Sequence, residues 1–412
     1  MCIELPPVNV QSIKYNIVWG ETLDQWIILL YVVVVFWSLL LMAKRFLPKS
    51  VEVRPLLVMW KTTKFNDAID RLGSALKPVW NVLWNMGIAV SIGGSIYITY
   101  LLARNLYYLS FKVEDASPVS LLIPGITLSL SPNTLFFFGL SIAIILISHE
   151  LSHGVAARAE GIKVKSTGLI LLAIIPGAFV EPDEEDLNKA KKSSQARVYA
   201  AGSTANILIA LLALSLVSNA PYILSPFYQT TPLGVQVPEN AAGSPAEGVL
   251  KNWDVILSIN GSATTDTESL AKILNATTPN STVPIVVMRD GEVKTFDFKM
   301  GYSATTNSSY MGIINALSYY PPKYPYISTS FPFYLTGSLS WIFLLSLNVG
   351  LINMMPVASL DGNKLAGIMV RFVLRDEKKS VQINKLLGWG CLAILVLNIS
   401  LSFMIFPSFK FG

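Results

Sequence analysis

Two histidines and a glutamate occupy one short stretch of the chain, and their types and spacing suit metal chemistry. The segment His149-Glu150-Leu151-Ser152-His153 contains both histidines of the 412-residue sequence. Side chains four residues apart on a helix lie on the same face, so the two imidazoles can share one ion. Glu150 would lie beside that ion, where a carboxylate can accept a proton from water and deliver it to a leaving amine. The pattern predicts a helical zinc site that hydrolyses peptide bonds.

A catalytic zinc ion needs a third protein ligand, and the sequence has no third histidine. The candidates are a carboxylate and, less favoured, Cys391. Asp361 is the preferred carboxylate, because it follows a long apolar segment and is expected at the same depth as the histidines. Aspartate at this place could instead cap the helix expected over 363–373. We favour the ligand role, which predicts a triad of His149, His153 and Asp361.

The composition indicates the class of protein in which these residues are positioned. Apolar residues make up 52% of the chain and charged residues 14%, whereas soluble domains carry about 25% charged residues. This balance predicts a polytopic α-helical membrane protein. The polar start of the chain does not resemble a cleaved signal peptide. Six segments are apolar enough to span a bilayer, and they cover residues 26–46, 86–109, 135–158, 200–217, 333–355 and 387–406.

The basic residues predict the orientation of these six spans. Lysines and arginines concentrate after the first span, between the third and fourth, and between the fifth and sixth. These loops all fall on one side, which the positive-inside rule identifies as cytoplasmic. The site is then near the cytoplasmic side, and the segment between the fourth and fifth spans lies outside. A net charge of +5 placed beside apolar runs predicts lipid contact and no nucleic-acid partner.

Residues 230–302 have a different composition from the spans around them. They are polar, carry short β-type runs, and contain the turn signals Asn260-Gly261 and Asp290-Gly291. Residues 267–274 predict a short helix between the runs, so an inserted small α+β domain is expected. Possible glycosylation sequons fall in or just after this domain and agree with an exported location. They begin at Asn260, Asn275, Asn280 and Asn307.

A shorter apolar segment lies on the cytoplasmic side, next to the metal motif. Residues 169–175 are too few to span, and Pro176-Gly177 follows them. We predict a β-hairpin or re-entrant segment over 163–180. The acidic cluster after it, from Glu181 to Asp186, is interpreted as a solvated loop and the start of a helix.

The predicted organisation has five parts. They are two N-terminal spans with their loops, a first catalytic part, the inserted domain, a second catalytic part, and a C-terminal span. In sequence they cover 1–133, 134–229, 230–302, 303–375 and 376–412.

These residues resemble the site-2 protease family of intramembrane metalloproteases. The family pairs an H-E-x-x-H helix with a later N-x-x-P…L-D-G segment, which is here Asn353…Pro356…Leu360-Asp361-Gly362. A G-P-x-x-N segment of the family corresponds to Gly202…Asn206. Three supporting positions depart from the family pattern, since Ser203, Ala358 and Asn363 stand where proline, proline and glycine are frequent.

The resemblance extends over about 135–373 and implies fold, cofactor and substrate. It implies Zn²⁺ on His149, His153 and Asp361, and cleavage of a single-span membrane protein within or near its membrane helix. Asn206 and Asn353 could bind the substrate backbone or the developing oxyanion, although joining helices is an alternative role for each.

The inserted segment resembles protease-associated PDZ domains, through residues 243–250 and 253–261. Such a domain could bind a peptide terminus of the substrate ectodomain or could exclude large ectodomains. We favour exclusion, because Pro232-Leu233-Gly234-Val235 is a loose match to a carboxylate-binding loop. Two other functions remain open for the whole chain. One is a non-proteolytic protein that binds or transports divalent metal, and the other is a membrane scaffold that uses the PDZ-like domain.

Overall fold

A computed structural model describes residues 19–173, 175–303 and 307–406 of the chain. The chain divides into two compact units, and each is described by itself. The first comprises residues 1–213 and 341–412, and the second comprises 214–340.

The described helices comprise long apolar ones and shorter ones. They are α1 (Trp19–Ala43), α2 (Asn66–Ala75), α3 (Lys77–Phe111), α4 (Pro132–Ala159), α5 (Glu184–Lys189), α6 (Lys192–Ser218), α7 (Ala220–Leu224), α8 (Thr267–Ala276), α9 (Phe331–Met354), α10 (Asp361–Leu374) and α11 (Glu377–Ile405).

The described strands fall into two larger sheets and two small pairs. They are β1 (Val51–Arg54), β2 (Leu57–Thr62), β3 (Val164–Leu172), β4 (Ile175–Pro182), β5 (Gly234–Gln236), β6 (Glu239–Asn240), β7 (Val255–Ile259), β8 (Ser262–Ala263), β9 (Thr282–Arg289), β10 (Glu292–Lys299), β11 (Gly301–Ser303), β12 (Ser308–Tyr310), β13 (Ile313–Ile314) and β14 (Leu317–Tyr319).

Five helices of the described residues are long and apolar enough to cross a membrane, namely α3, α4, α6, α9 and α11. They correspond to the second through sixth predicted spans. Helix α1 covers most of the first predicted span with 25 residues, and its crossing of the bilayer stays a prediction. The predicted class, a polytopic helical membrane protein with an inserted α+β domain, is confirmed.

The first unit contains a four-stranded antiparallel sheet in the order β1-β2-β3-β4. The hairpin predicted over 163–180 is its β3–β4 pair, and β4 is an edge strand. The β1–β2 hairpin was not predicted from the sequence. It turns at Leu56, whose φ is +56°, and β2 covers the other side of β3. Trp37 of α1 donates its indole N–H to the Ala173 carbonyl at the turn after β3, at 3.0 Å, so α1 holds the tip of the hairpin.

Small residues let α4 approach the sheet and α6 closely. A Cβ on Gly154 would lie 3.0 Å from a methyl of Val180 on β4 and 3.2 Å from one of Ile69 on α2. The buried residues Ala156, Ala157 and Ala201 belong to the same apolar cluster as Ile69. Close approach through small side chains is typical of helices packed in membranes. It brings one face of α4 against both β4 and α6.

The second unit is built on a sheet in the order β10-β9-β7-β5-β14, with β8 paired to β7. Its core is made of aliphatic residues of the strands together with Phe298 and Leu270. The predicted helix over 267–274 is α8, which Asp266 caps by accepting from the backbone N–H of Ser269 at 2.7 Å. Strand β14 pairs antiparallel with β5.

The acidic cluster after β4 begins a helix, as interpreted from the sequence. Asp183 is the N-cap of α5 and accepts from the backbone N–H of Asp186 at 3.0 Å. Backbone N–H donation from Asp186 is the main reason that the pKa of the Asp183 carboxyl lies below its usual value, and Lys165 adds to the effect.

Candidate active site

Helix α4 presents both histidines on one buried face, as the spacing predicts. His149 and His153 are 7% and 8% exposed, and their Nε2 atoms lie 3.2 Å apart. The Oδ2 atom of Asp361 lies 3.2 Å from Nε2 of His149 and 2.9 Å from Nε2 of His153. Among the described residues these three form the group whose ligand atoms could hold a metal ion.

Asp361 is the first residue of α10, and the cap position before it belongs to Leu360. Asp361 is therefore not the N-cap of this helix, which was its alternative role. Gly362 lies against the carbonyl of Met354, where a side chain would collide, so the sequence after Asp361 needs glycine. Nζ of Lys364 lies 3.5 Å from Oδ1 of Asp361, which leaves Oδ2 directed at the histidines.

Burial would raise the pKa of the Asp361 carboxyl, but the two imidazoles hold it well below its usual range. This direction favours the ionised carboxylate, which is the form that binds a metal.

The separations of the three ligand atoms are close to those that a tetrahedral zinc ion would need. Nitrogen and oxygen ligands lie about 2.0–2.2 Å from zinc, so two of them in tetrahedral geometry lie roughly 3.3–3.5 Å apart. The observed separations are 2.9–3.2 Å. A small outward movement of the three side chains would fit the ion, and three protein ligands leave the fourth position for water or substrate.

The remaining ring nitrogens of the histidines face α6. Nδ1 of His153 donates to the carbonyl of Val198 at 2.7 Å. Nδ1 of His149 lies 3.1 Å from Nδ2 of Asn206, a residue with no exposed surface.

Gly202 lies between these two contacts, one turn from each. A Cβ there would lie 2.6 Å from Nε2 of His149 and would also collide with the imidazole of His153. Helix α6 can therefore lie this close to the imidazoles only because residue 202 is glycine.

Glu150 lies on the same helix but contacts the sheet. Its Oε2 atom accepts a hydrogen bond from the backbone N–H of Val180 on β4, at 3.1 Å. Sequence reasoning identified Glu150 but missed Val180 and Val198, because their contributions come from backbone groups that carry no signal in the sequence. It also missed Lys364. This residue follows Asp361 by three positions on a helix, a spacing that could have indicated the contact.

The other candidates named from the sequence lie as follows. Asn353 is half-buried in the last turn of α9. Cys391 is buried in an apolar cluster with Ile98 and Leu102, apart from the group of candidate ligands. The roles of Asn353 and Asn206 in substrate binding stay predictions.

Known proteins resemble this chain over a large share of its length. The sequence matches peptidase family M50 over residues 137–397. An uncharacterized protein of Methanocaldococcus jannaschii is 26% identical over 309 residues, which are 71% of this chain and 72% of that protein. A membrane-bound transcription factor site-2 protease homolog of Arabidopsis thaliana is 30% identical over 202 residues. That alignment covers 49% of this chain and 39% of the plant protein.

Solved structures resemble one segment of the chain. The PDZ domain of an SdrC-like protein from Listeria monocytogenes is 24% identical, covers 20% of this chain and 87% of that domain, and has a TM-score of 0.19. A PDZ domain from Listeria innocua is 21% identical, covers 20% of this chain and 91% of that domain, and has the same TM-score.

The family match includes both histidines, Glu150 and Asp361, and it spans more than half of the chain. The resemblance to site-2 proteases stated from the motifs is thereby confirmed, and this integral membrane protein belongs to peptidase family M50.

Proposed function

We propose that this chain is an intramembrane zinc endopeptidase that cleaves membrane proteins within or near their membrane helices. The observation that carries the proposal is the meeting of His149, His153 and Asp361, with ligand atoms 2.9–3.2 Å apart, next to Glu150. The ligands come from two helices that are distant in sequence, and the geometry suits a divalent ion with nitrogen and oxygen ligands.

Zinc, when bound, supplies a Lewis acid that activates water and polarises the scissile carbonyl. Glu150 accepts the proton of that water and delivers it to the leaving amine. Asp361 and the two imidazoles would hold the ion, on the face of α4 next to Glu150. Lys364 keeps the second carboxylate oxygen of Asp361 occupied, at 3.5 Å.

The substrate must present an extended segment, because a helix hides its peptide bonds in its own hydrogen bonds. Strand β4 offers a place for it, since its outer edge is unpaired in the sheet order and lies beside Glu150. Peptides commonly bind by adding a strand to such an edge. Asn353, at the end of α9, is proposed to hydrogen-bond the substrate backbone or the developing oxyanion.

The proposed orientation places the site near the cytoplasm and the inserted domain outside the cell membrane. The basic loops support it through the positive-inside rule. The four sequon asparagines in or just after the inserted domain, at 260, 275, 280 and 307, are exposed, which is compatible with an exported domain. For this domain we favour exclusion of large ectodomains over peptide capture. Leu233 lies in the loose match to a carboxylate-binding loop, and its backbone N–H already donates to the Tyr319 carbonyl at 2.9 Å, so it is not free for a peptide carboxylate.

Metal content and cleavage together test the proposal. The full chain is purified in detergent as the wild type, Glu150→Gln and Asp361→Ala, and zinc is measured beside cleavage of a single-span protein. We expect Glu150→Gln to retain zinc and lose cleavage by about 100-fold or more, and Asp361→Ala to lose both. Retained cleavage in Glu150→Gln would refute the protease. Metal transport that survives this change in vesicles would favour the transporter instead.

A further inference from the structure

Helix α6 meets the two histidines with three residues that are each about one helical turn apart. Val198, Gly202 and Asn206 are four residues apart, so they lie on one face. Val198 contacts His153 and Asn206 contacts His149, while Gly202 between them gives the imidazoles room. The Nδ1 atom of each histidine thus lies within hydrogen-bonding distance of one polar group of α6.

The two matches differ in chemistry. A neutral histidine that binds metal through Nε2 carries its proton on Nδ1, and that proton needs an acceptor. The carbonyl of Val198 is such an acceptor for His153, at 2.7 Å. The side chain facing His149 is an amide, which offers a donor nitrogen and an acceptor oxygen that exchange places when the group turns by 180°.

The Asn206 amide is placed so that one rotation reverses its hydrogen bond with His149. Its Nδ2 lies 3.1 Å from Nδ1 of His149, and its Oδ1 is buried with no hydrogen-bond partner among the described residues. A buried acceptor without a donor is unfavourable. When the amide is turned, Oδ1 accepts the Nδ1 proton of His149, and Nε2 is left free to bind metal.

We propose that Asn206 is a positioning residue that holds His149 in its metal-binding tautomer by accepting a hydrogen bond from Nδ1. This inference rests on the proposed zinc site and assigns Asn206 to the metal ligand rather than to the substrate. A group beyond the ligands that fixes a histidine commonly changes metal affinity by about 10–100-fold.

Three variants of the full chain in detergent test this role. Asn206→Leu removes the acceptor with little change in volume, and Asn206→Asp keeps an acceptor but has no donor. Asn398→Leu is the matched control, because Asn398 is also fully buried in a long apolar helix but bonds the backbone of α3 and α11. Zinc affinity is measured by competition with a chromophoric chelator, and the ligand geometry by the visible spectrum of the Co²⁺-substituted protein.

We expect Asn206→Leu to bind zinc about 10–100-fold more weakly and to change the Co²⁺ spectrum. Asn206→Asp should bind zinc within about threefold of the wild type, since carboxylates commonly hold metal-bound histidines, and Asn398→Leu should match the wild type. Wild-type zinc affinity in Asn206→Leu would overturn the proposal, as would an Asp variant as weak as the Leu variant. Failure of the zinc site itself is recognised separately, by a wild type that binds zinc no better than Asp361→Ala.

Discussion

The carboxylate of Glu150 accepts a hydrogen bond from the backbone N–H of Val180, at 3.1 Å. One edge of β4 pairs with β3. The Val180 N–H points to α4, so it lies on the opposite, outer edge of β4. Alternation along a strand then turns Pro176, Ala178 and Pro182 to the same outer edge. Prolines have no N–H, so this edge offers donors at Ala178 and Val180, and one of them is engaged by Glu150. The proposed general base is therefore positioned by the strand on which substrate is proposed to bind.

Removing the Val180 N–H should slow the chemical step while zinc remains bound. Replacing residue 180 by the corresponding hydroxy acid turns the amide into an ester, which deletes the N–H donor and weakens the preceding carbonyl as an acceptor. We expect kcat to fall about 10-fold, because a misplaced base loses reactivity steeply with distance. The matched control is the ester at Ala178, which does not contact Glu150 and should raise KM with kcat nearly unchanged. Equal losses of kcat in both esters would show that the bond to Glu150 has no special role.

Gly202→Ala should disrupt metal binding, although the change adds one methyl group. The new Cβ would collide with both imidazoles, so α6 or the histidines must move apart. We expect at least a 10-fold loss of zinc affinity, measured by chelator competition. Gly93→Ala on α3 is the control, since a Cβ there meets nothing within 4 Å. If both variants bind zinc as the wild type does, α6 does not define the site.

A buried ion pair should hold the inserted domain together. Arg289 on β9 binds both carboxylate oxygens of Asp254, at 2.8 and 2.6 Å, and the Asp254 side chain is 1% exposed. Arg289→Met leaves that charge buried without its partner, which costs about 3–5 kcal/mol.

Hydrogen exchange of β7 and β9 in the full chain measures this loss. Lys294→Met is the control, because Lys294 pairs with Glu292 on the exposed side of β10, where both side chains contact solvent. Its effect should stay below about 1 kcal/mol. Equal exchange in the two variants would mean that the buried pair contributes no more than the exposed one.

The grouping of the three candidate ligands could be predicted because its signals are local or set by topology. His149, Glu150 and His153 lie about one helical turn apart, and the depth that the apolar spans imply favours Asp361 as their partner. The β3–β4 hairpin was also visible, since its strands are adjacent in the chain.

The supporting contacts could not be predicted, because they join segments that are far apart in sequence. The pairing of β2 with β3 and that of β14 with β5 each require the folded chain. Val180 and Val198 act through backbone groups, which every residue other than proline offers equally. Which amide or carbonyl meets the site is decided by packing, here by Gly154 and Gly202.

The cap of α8 should make the inserted domain sensitive to acid. The backbone N–H of Ser269 and then its hydroxyl hold the pKa of the Asp266 carboxyl below its usual value. Because the folded pKa is lowered, the stabilisation is complete above the unfolded value of about 3.9. It is lost as the pH falls through the folded value. We expect the protection factors of α8 amides, measured by hydrogen exchange, to fall in that window for the wild type. Asp266→Asn keeps a capping oxygen without a titrating group, so its protection should not change there, and an identical acid transition in both proteins would assign the effect to another group.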